Sequence, residues 1–426
     1  MSAVRNLRAA VLVLAVLLLA SCGATTGDDD GRVVLRFQSL SDQPAAIETS
    51  DRIVAEWNRT HPDVQVEVVQ AGWDGVHDKL ITQFNALAAP DVVHYEASGI
   101  LPFAADGYLA DLTPYLSEER RADIPAGVLD SVTVDGEVVA YPTAMQSYVV
   151  YANRTMLREA GVEIPTGPTT SWDELRAIAK ATTGDDRYGL AWGLKDPTAA
   201  FMSLSPGFGG LFFGGPDPAS PQITVGAAET ALPELVADMT YQDGSILPVS
   251  LTQSGSKALA PFYEGQVAMT VQGSFQTANI AADAPEDLDW VVLPPLAGPA
   301  GAAQAANPQT LSIAKDSPHV AEAAEFLEFF TRTGNLAALN EADGLIPATV
   351  SARDELAGRL GSRDGWDVVL AGGRHLTAAP FLFADRYQQW KETVATPAYQ
   401  RFLAGQTDAD ELARELELGW NDIAAY

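Results

Sequence analysis

The chain has 426 residues, with 56 Asp+Glu against 26 Lys+Arg and a formal net charge of −30. A length of this order holds two domains, or three, and 47% hydrophobic with 19% charged residues excludes wholesale disorder. The acidic balance excludes a nucleic-acid binder, which needs a basic surface to release counterions, and anionic lipid would repel the chain for the same reason.

At the start, Arg5 and Arg8 precede an apolar run from Ala9 to Ala20, followed by Leu19-Ala20-Ser21-Cys22. The run is shorter than the roughly 20 residues a bilayer span requires and suits the hydrophobic region of an export signal. The Leu-Ala-Ser-Cys ending resembles the lipobox of bacterial lipoproteins, which implies a signal peptide over 1–21 and lipidation of Cys22. Cys22 is the single cysteine, so neither an intramolecular disulfide nor an all-cysteine zinc site can form. The small, polar and acidic residues that follow, up to Gly31, read as a flexible tether over 22–31.

Residues 33–38 read as a strand, and Ala45 to Asn58 as a helix with Ile47, Ile53, Val54 and Trp57 on one face. Val64, Val66 and Val68 alternate as in a strand, and Leu80, Phe84 and Leu87 fall on one helical face. The apolar run Val92-Val93-His94-Tyr95 reads as a buried parallel strand, so the first third argues for an α/β layer.

Asn153 to Ala160 is expected to be a short helix stopped by Gly161. Ser171-Trp172-Asp173-Glu174 has the capping-box spacing, in which Ser171 and Glu174 each take a bond from the other's backbone N–H. Glycines and prolines crowd residues 205–221 and 294–307, so both read as irregular connections. Phe262 to Val271 reads as a helix end followed by a strand, and Trp290 to Leu293 as another strand. Ser317-Pro318 reads as the start of a helix with Val320, Ala324, Leu327 and Phe330 on one face and Gly334 at its end. Helices are expected from Thr377 onward and over Thr407 to Ala425.

The sequence carries no motif for catalysis or for a cofactor. Its five histidines include no i, i+4 pair and no H-E-x-x-H pattern, which argues against a metal site. Neither the G-x-S-x-G elbow nor the G-x-x-x-x-G-K-[ST] phosphate loop occurs. Paired carboxylates of a glycoside hydrolase leave no spacing signature and stay open on this evidence.

Several segments resemble the sugar-binding family of extracellular solute-binding proteins of ABC importers, which includes the maltose-binding protein. They are Pro90–Tyr95 (PDVVHY), Tyr141–Asn153 (YPTAMQSYVVYAN), Ile164–Leu175 with Ser171-Trp172, Phe262–Ile280 (FYEGQVAMTVQGSFQTANI), Ser317–Phe329 and the closing Gly405-Gln406-Thr407 helix. They occur in the family's order along nearly the whole chain. The resemblance implies an α/β periplasmic-binding-protein fold of two lobes, each a mixed sheet flanked by helices. Lobe 1 would hold 32–145 plus 309–346 and lobe 2 would hold 146–308 plus 347–426. The crossings would fall near 144–147, 307–309 and 345–347, with the ligand in the cleft between lobes.

A saccharide offers hydroxyls for polar side chains and C–H faces for aromatic rings. On the resemblance, the ligand-binding residues would be Asp42, Gln43, Tyr95, Gln146, Trp192, Asp196, Ser274, Phe275, Phe383 and Arg386. Trp73, Trp172, Trp290 and Trp390 read as packing residues. The implied protein is a lipid-anchored monomer that takes a carbohydrate, without a cofactor and without nucleic acid, to an ABC importer permease. A glycerophosphodiester or another polyol is the alternative ligand, with Arg386 and Lys195 as its basic candidates, and a secreted hydrolase is a further alternative.

Overall fold

The computed structural model describes residues 32–214 and 221–424, so the signal over 1–21, the tether over 22–31 and Cys22 lie outside the described residues. Twelve strands matter for the site: β1 (Val33–Ser39), β2 (Val64–Gln70), β3 (Val92–Glu96), β4 (Tyr141–Met145), β5 (Tyr148–Asn153), β6 (Tyr188–Trp192), β7 (Val267–Gly273), β8 (Trp290–Val292), β9 (Gln304–Ala306), β10 (Gln309–Ile313), β11 (Ile346–Pro347) and β12 (Leu376–Ala378). Strand β9 pairs parallel with β12, and the other ten build two main mixed sheets. The first has the order β11-β4-β10-β3-β1-β2 and the second β8-β5-β7-β6.

In the first sheet β1 pairs parallel to β2 and β3, as the strand–helix–strand pattern requires. Strand β10 then lies antiparallel between β3 and β4, so a segment far along the chain completes the sheet. Its core is aromatic. Phe37 of β1 meets Phe330 edge-on at 5.2 Å, and Trp57 of the helix Pro44–Thr60 meets Phe326 at 5.5 Å. In the second sheet β7 is central, antiparallel to β5 and parallel to β6, and every residue of β7 is buried. Among the described residues no helix is long and apolar enough to cross a membrane.

Local signals placed several elements well. Ser171 Oγ accepts from Glu174 N at 3.1 Å while Glu174 Oε2 accepts from Ser171 N at 2.8 Å, closing the capping box. Asn153 caps the helix Arg154–Glu159 by accepting from Met156 N.

Other expectations need correction. Leu87 lies past the helix Val76–Asn85 and is 76% exposed, so it takes no part in that helix's buried face. Ser317 does not cap a helix, because its Oγ donates to Asp91 and the helix begins at Val320. That helix ends at Phe330, and Gly334 sits inside the next one, Thr333–Asp343. Thr377 belongs to β12, paired with β9, and helix resumes only at Tyr387. Both irregular stretches contain pairing segments: Phe213-Gly214 pairs with Gln222-Ile223, and β9 forms within 294–307. The helix Val350–Leu360, which the sequence division assigns to the second lobe, is tied to the first, since Ser351 donates to Asp123 at 2.6 Å.

The chain leaves the first sheet for the second at 146–147, between β4 and β5, and returns to the first sheet at 307–308, ahead of β10. Beside these, Gly344 adopts φ +67°, and a Cβ there would stand 2.5 Å from the carbonyl oxygen of Phe275. Glycine is required at this point, where the end of a first-sheet helix meets the backbone leaving β7.

Candidate functional site

A cavity of about 270 Å³ lies where the crossings meet. It is built from strand ends and the loops after them, where open α/β sheets place their ligands. The first sheet supplies Asp42 and Gln43 after β1, Trp73 after β2, Glu96 at the end of β3, Gln309 of β10, and Asp343 with Leu345 before β11. Facing them are Ala199 and Ser203, Phe275 after β7, Ala305 of β9, and Phe381, Tyr387 and Lys391 from the C-terminal part. Gln146 and Asn307 come from the two crossings themselves.

Buried hydrogen bonds set the first wall. Leu40 N donates to His94 Nδ1 at 3.1 Å, so the ring proton sits on Nε2, which lies 2.9 Å from Gln309 Oε1 and donates to it. Burial lowers the His94 pKa to about 4 against the weaker raising effect of Gln309, so the imidazole is neutral and fixes the Gln309 amide at the cleft. Glu96 Oε1 accepts from Ser98 Oγ at 3.2 Å and from Gln388 Nε2 at 2.6 Å. Asn307 closes on the same group: its Oδ1 accepts from Ser98 N, and its Nδ2 donates to Ser98 Oγ. Gln388 lies beyond β12 and Glu96 in the first sheet, so this polar cluster ties the C-terminal part to the first wall.

Asp343 is different. It is 8% exposed, and burial followed by the charge of Asp42 raises its pKa to about 7. Among the described residues its carboxylate has neither a hydrogen bond nor an ion pair.

The opposite wall carries more rings, with Ser203 and Lys391 as its polar members. Phe381 stacks on Tyr387 with centroids 4.2 Å apart and 13° between planes. Phe275 is half-buried and folds back over the end of β7, where a Cβ on Gly273 would lie 2.4 Å from its ring. Gly273 thus lets the ring reach the cleft.

Of the residues singled out from sequence, Asp42, Gln43, Gln146 and Phe275 line this cavity. Tyr95 is turned inward, with its ring packed against Gly99 and 6.3 Å from that of Trp73. Trp192 is 2% exposed and stacks on Trp172 at 6.0 Å, which makes it core. Ser274 is fully buried and ties β7 to the crossing, with its N donating to Ser147 O at 2.8 Å. Asp196 is exposed before Pro197, Phe383 packs on the core, and Arg386 is exposed ahead of the helix Tyr387–Trp390. None of these six lines the cleft.

Trp73, read as packing, does line it. Asn307 and Gln309 fall on the crossing expected at 307–309, and Phe381 and Tyr387 lie near the two late candidates, whereas Glu96, Asp343 and Lys391 carried no sequence signal for the cleft. A shallower recess of about 520 Å³ beside Arg154, Trp290 and Asp367 is larger but takes nothing from the first sheet. No group of three His, Cys, Asp or Glu suited to a metal occurs among the described residues.

Residues 42–337 match the family model described as bacterial extracellular solute-binding protein. A relative described as "Uncharacterized lipoprotein in oleD 5'region", from Streptomyces antibioticus, is 39% identical over 421 residues, covering 97% of this chain and 92% of the relative. The GacH receptor of Streptomyces glaucescens, solved unliganded and with acarbose, superposes with TM-score 0.78 at 21% identity, over 92% of this chain and 99% of that one. The maltose-bound MalE3 of T. maritima superposes with TM-score 0.77 at 20% identity, over 92% and 100%. The fold is therefore the two-lobed periplasmic-binding-protein fold, mixed α/β in each lobe.

Proposed function

The chain belongs to the bacterial extracellular solute-binding protein family, and from that premise we propose that it captures a carbohydrate, a di- or oligosaccharide, between its lobes and delivers it to an ABC importer permease. The observation that carries this reading is the composition of the cleft, hydrogen-bonding groups concentrated on the first wall and rings, Phe275, Phe381 and Tyr387, on the facing one, with Trp73 beside the first. A sugar ring presents the matching surfaces, hydroxyls at its rim and C–H groups on its faces. The solved neighbours with acarbose and maltose bound support the same ligand class.

The cycle has no catalytic step. Ligand contacts made to both walls at once exist only in the closed form, so binding shifts the population toward closure, with the segments 146–147, 307–308 and 344–345 as hinges. The moving bodies are 32–145 with 309–346 and 146–308 with 347–426, the helix Val350–Leu360 travelling with the first through its bond to Asp123. Cys22 carries a lipid that holds the protein at the outer face of the membrane, a reading supported by the lipoprotein relative.

An anionic phosphodiester ligand is disfavoured by charge. Among the described residues Lys391 is the one cationic side chain lining the cleft, against Asp42, Glu96 and Asp343. The two basic candidates read from sequence, Lys195 and Arg386, lie outside the lining.

A thermal-shift screen of mono-, di- and oligosaccharides and glycerophosphodiesters tests this. A ligand of the folded state adds about 2.7 kcal/mol at roughly 100 times its dissociation constant. The expected result is stabilisation by a saccharide without product formation. A response to a phosphodiester alone, or release of cleaved sugar, contradicts the reading.

A further inference from the structure

The cleft's charge is unbalanced, and one of its carboxylates is stranded. Glu96 already accepts two hydrogen bonds, from Ser98 and Gln388. Asp42 accepts one, from Gln43 Nε2 at 3.3 Å. Asp343 accepts none among the described residues although it is 8% exposed and lines the cleft. Asp343 is thus mostly withdrawn from bulk water yet open to the cleft, where a ligand can supply the donor and the positive charge that the protein does not.

We propose that the cleft selects a saccharide bearing a protonated amine, with the ammonium seated against Asp343 and Asp42. This inference rests on the carbohydrate reading above and narrows its ligand class. An ammonium has three donors and no acceptor, so it satisfies two carboxylates that no sugar hydroxyl can neutralise. The surroundings agree. Burial, and then the charge of Asp42, raise the Asp343 pKa, and a cation at this point would offset both by stabilising the charged form. His94, which shares a small cavity with Asp343, is held neutral, and Lys391 stands on the facing wall without a bond to either carboxylate. Trp73 lines the same cleft beside Asp42 and Asp343, and an indole ring attracts a cation placed over its face.

Isothermal titration of the full protein at pH 7 with cellobiose and with the chitosan disaccharide tests the proposal. These differ only by an amine in place of each 2-hydroxyl. Spermidine serves as an amine without sugar and maltose as a second neutral sugar. The chitosan disaccharide is expected to bind roughly tenfold tighter than cellobiose or more, the range of one charge-assisted hydrogen bond. Asp343→Asn and, separately, Asp42→Asn are expected to bring that ratio toward one. Equal or weaker binding of the amine by the wild type overturns charge selection and leaves carbohydrate capture standing. Binding of spermidine alone overturns the saccharide part, and silence toward every sugar overturns both readings. The wild-type ratio decides the matter even if a variant fails to fold.

Discussion

The wall of the cleft built from the first sheet holds Asp42, Glu96, Gln309 and Asp343, whereas the facing wall holds Phe275, Phe381 and Tyr387 with Lys391. The first is positioned by directed bonds, such as the relay from Leu40 through His94 to Gln309. The rings of the second are positioned mainly by packing, as in the stack of Phe381 on Tyr387. The difference assigns each wall its task. Rings supply area and affinity without regard to ligand orientation, while bonded polar groups discriminate between ligands, because an unmatched buried polar group is costly. Substitutions on the two walls should therefore fail in different ways.

The largest expected effect is on the ring wall. Phe275→Ala should weaken saccharide binding by about 2–3 kcal/mol, the loss typical of a central aromatic anchor, with little change in melting temperature because the ring is half-buried. Titration calorimetry beside a melting curve checks this, and a large fall in stability with intact binding would reverse the assignment.

Next comes the relay. His94→Leu leaves the Leu40 N–H and the Gln309 carbonyl without a partner and should cost about 2 kcal/mol of stability. It should also alter the pH profile. Folded His94 has its pKa depressed to about 4 from 6.5, so it stays neutral while the unfolded chain takes up a proton, and the wild type loses stability as pH falls from 6.5 toward 4. The variant should lack that slope in denaturant melts across this window.

Asp343→Asn has the opposite sign. The folded pKa is raised to about 7 from 3.8, so the folded state is favoured when the group is protonated and loses stability as pH rises from 4 through 7. The Asn variant should be more stable than the wild type at pH 8 by about 1–2 kcal/mol and equal to it near pH 4. A variant less stable at pH 8 would mean that the carboxylate has a stabilising partner.

The smallest effect concerns the link between the C-terminal part and the first wall. Gln388→Ala removes the donor to Glu96 and should cost about 1 kcal/mol of stability, the typical net value of one hydrogen bond. Chemical denaturation would detect it.

Legibility followed the range of the signals. The capping box at Ser171 and Glu174, the Asn153 cap and the strand Val92–Glu96 depend on neighbours within a few residues, and sequence spacing located them. Phe275 was reachable because it follows Gly273-Ser274 in the segment that most resembles the sugar-binding family. Trp192 and Tyr95 were misassigned because a buried strand shows no periodicity that separates a cleft-facing ring from a core ring. Trp172 and Gly99, which decide the matter, are supplied by other elements. Phe383 and Arg386 marked the right segment, but the 3₁₀ turn Pro380–Phe383 and the start of the next helix turn Phe381 and Tyr387 toward the cleft instead. Asp343 was invisible, since it ends the helix Thr333–Asp343 and no local pattern shows that this helix end, at Gly344, meets the backbone of Phe275 beside the cleft.

The central claim is that a saccharide sits between the polar wall and the rings, and tryptophan fluorescence tests it most directly. Trp73 is half-buried and lines the cleft, while Trp57, Trp192 and Trp390 are in the core. Titration with a saccharide that stabilises the protein should give a saturable change in emission, and Trp73→Phe should abolish most of it. An undiminished change in Trp73→Phe, with affinity also unaltered in Phe275→Ala, would contradict the account.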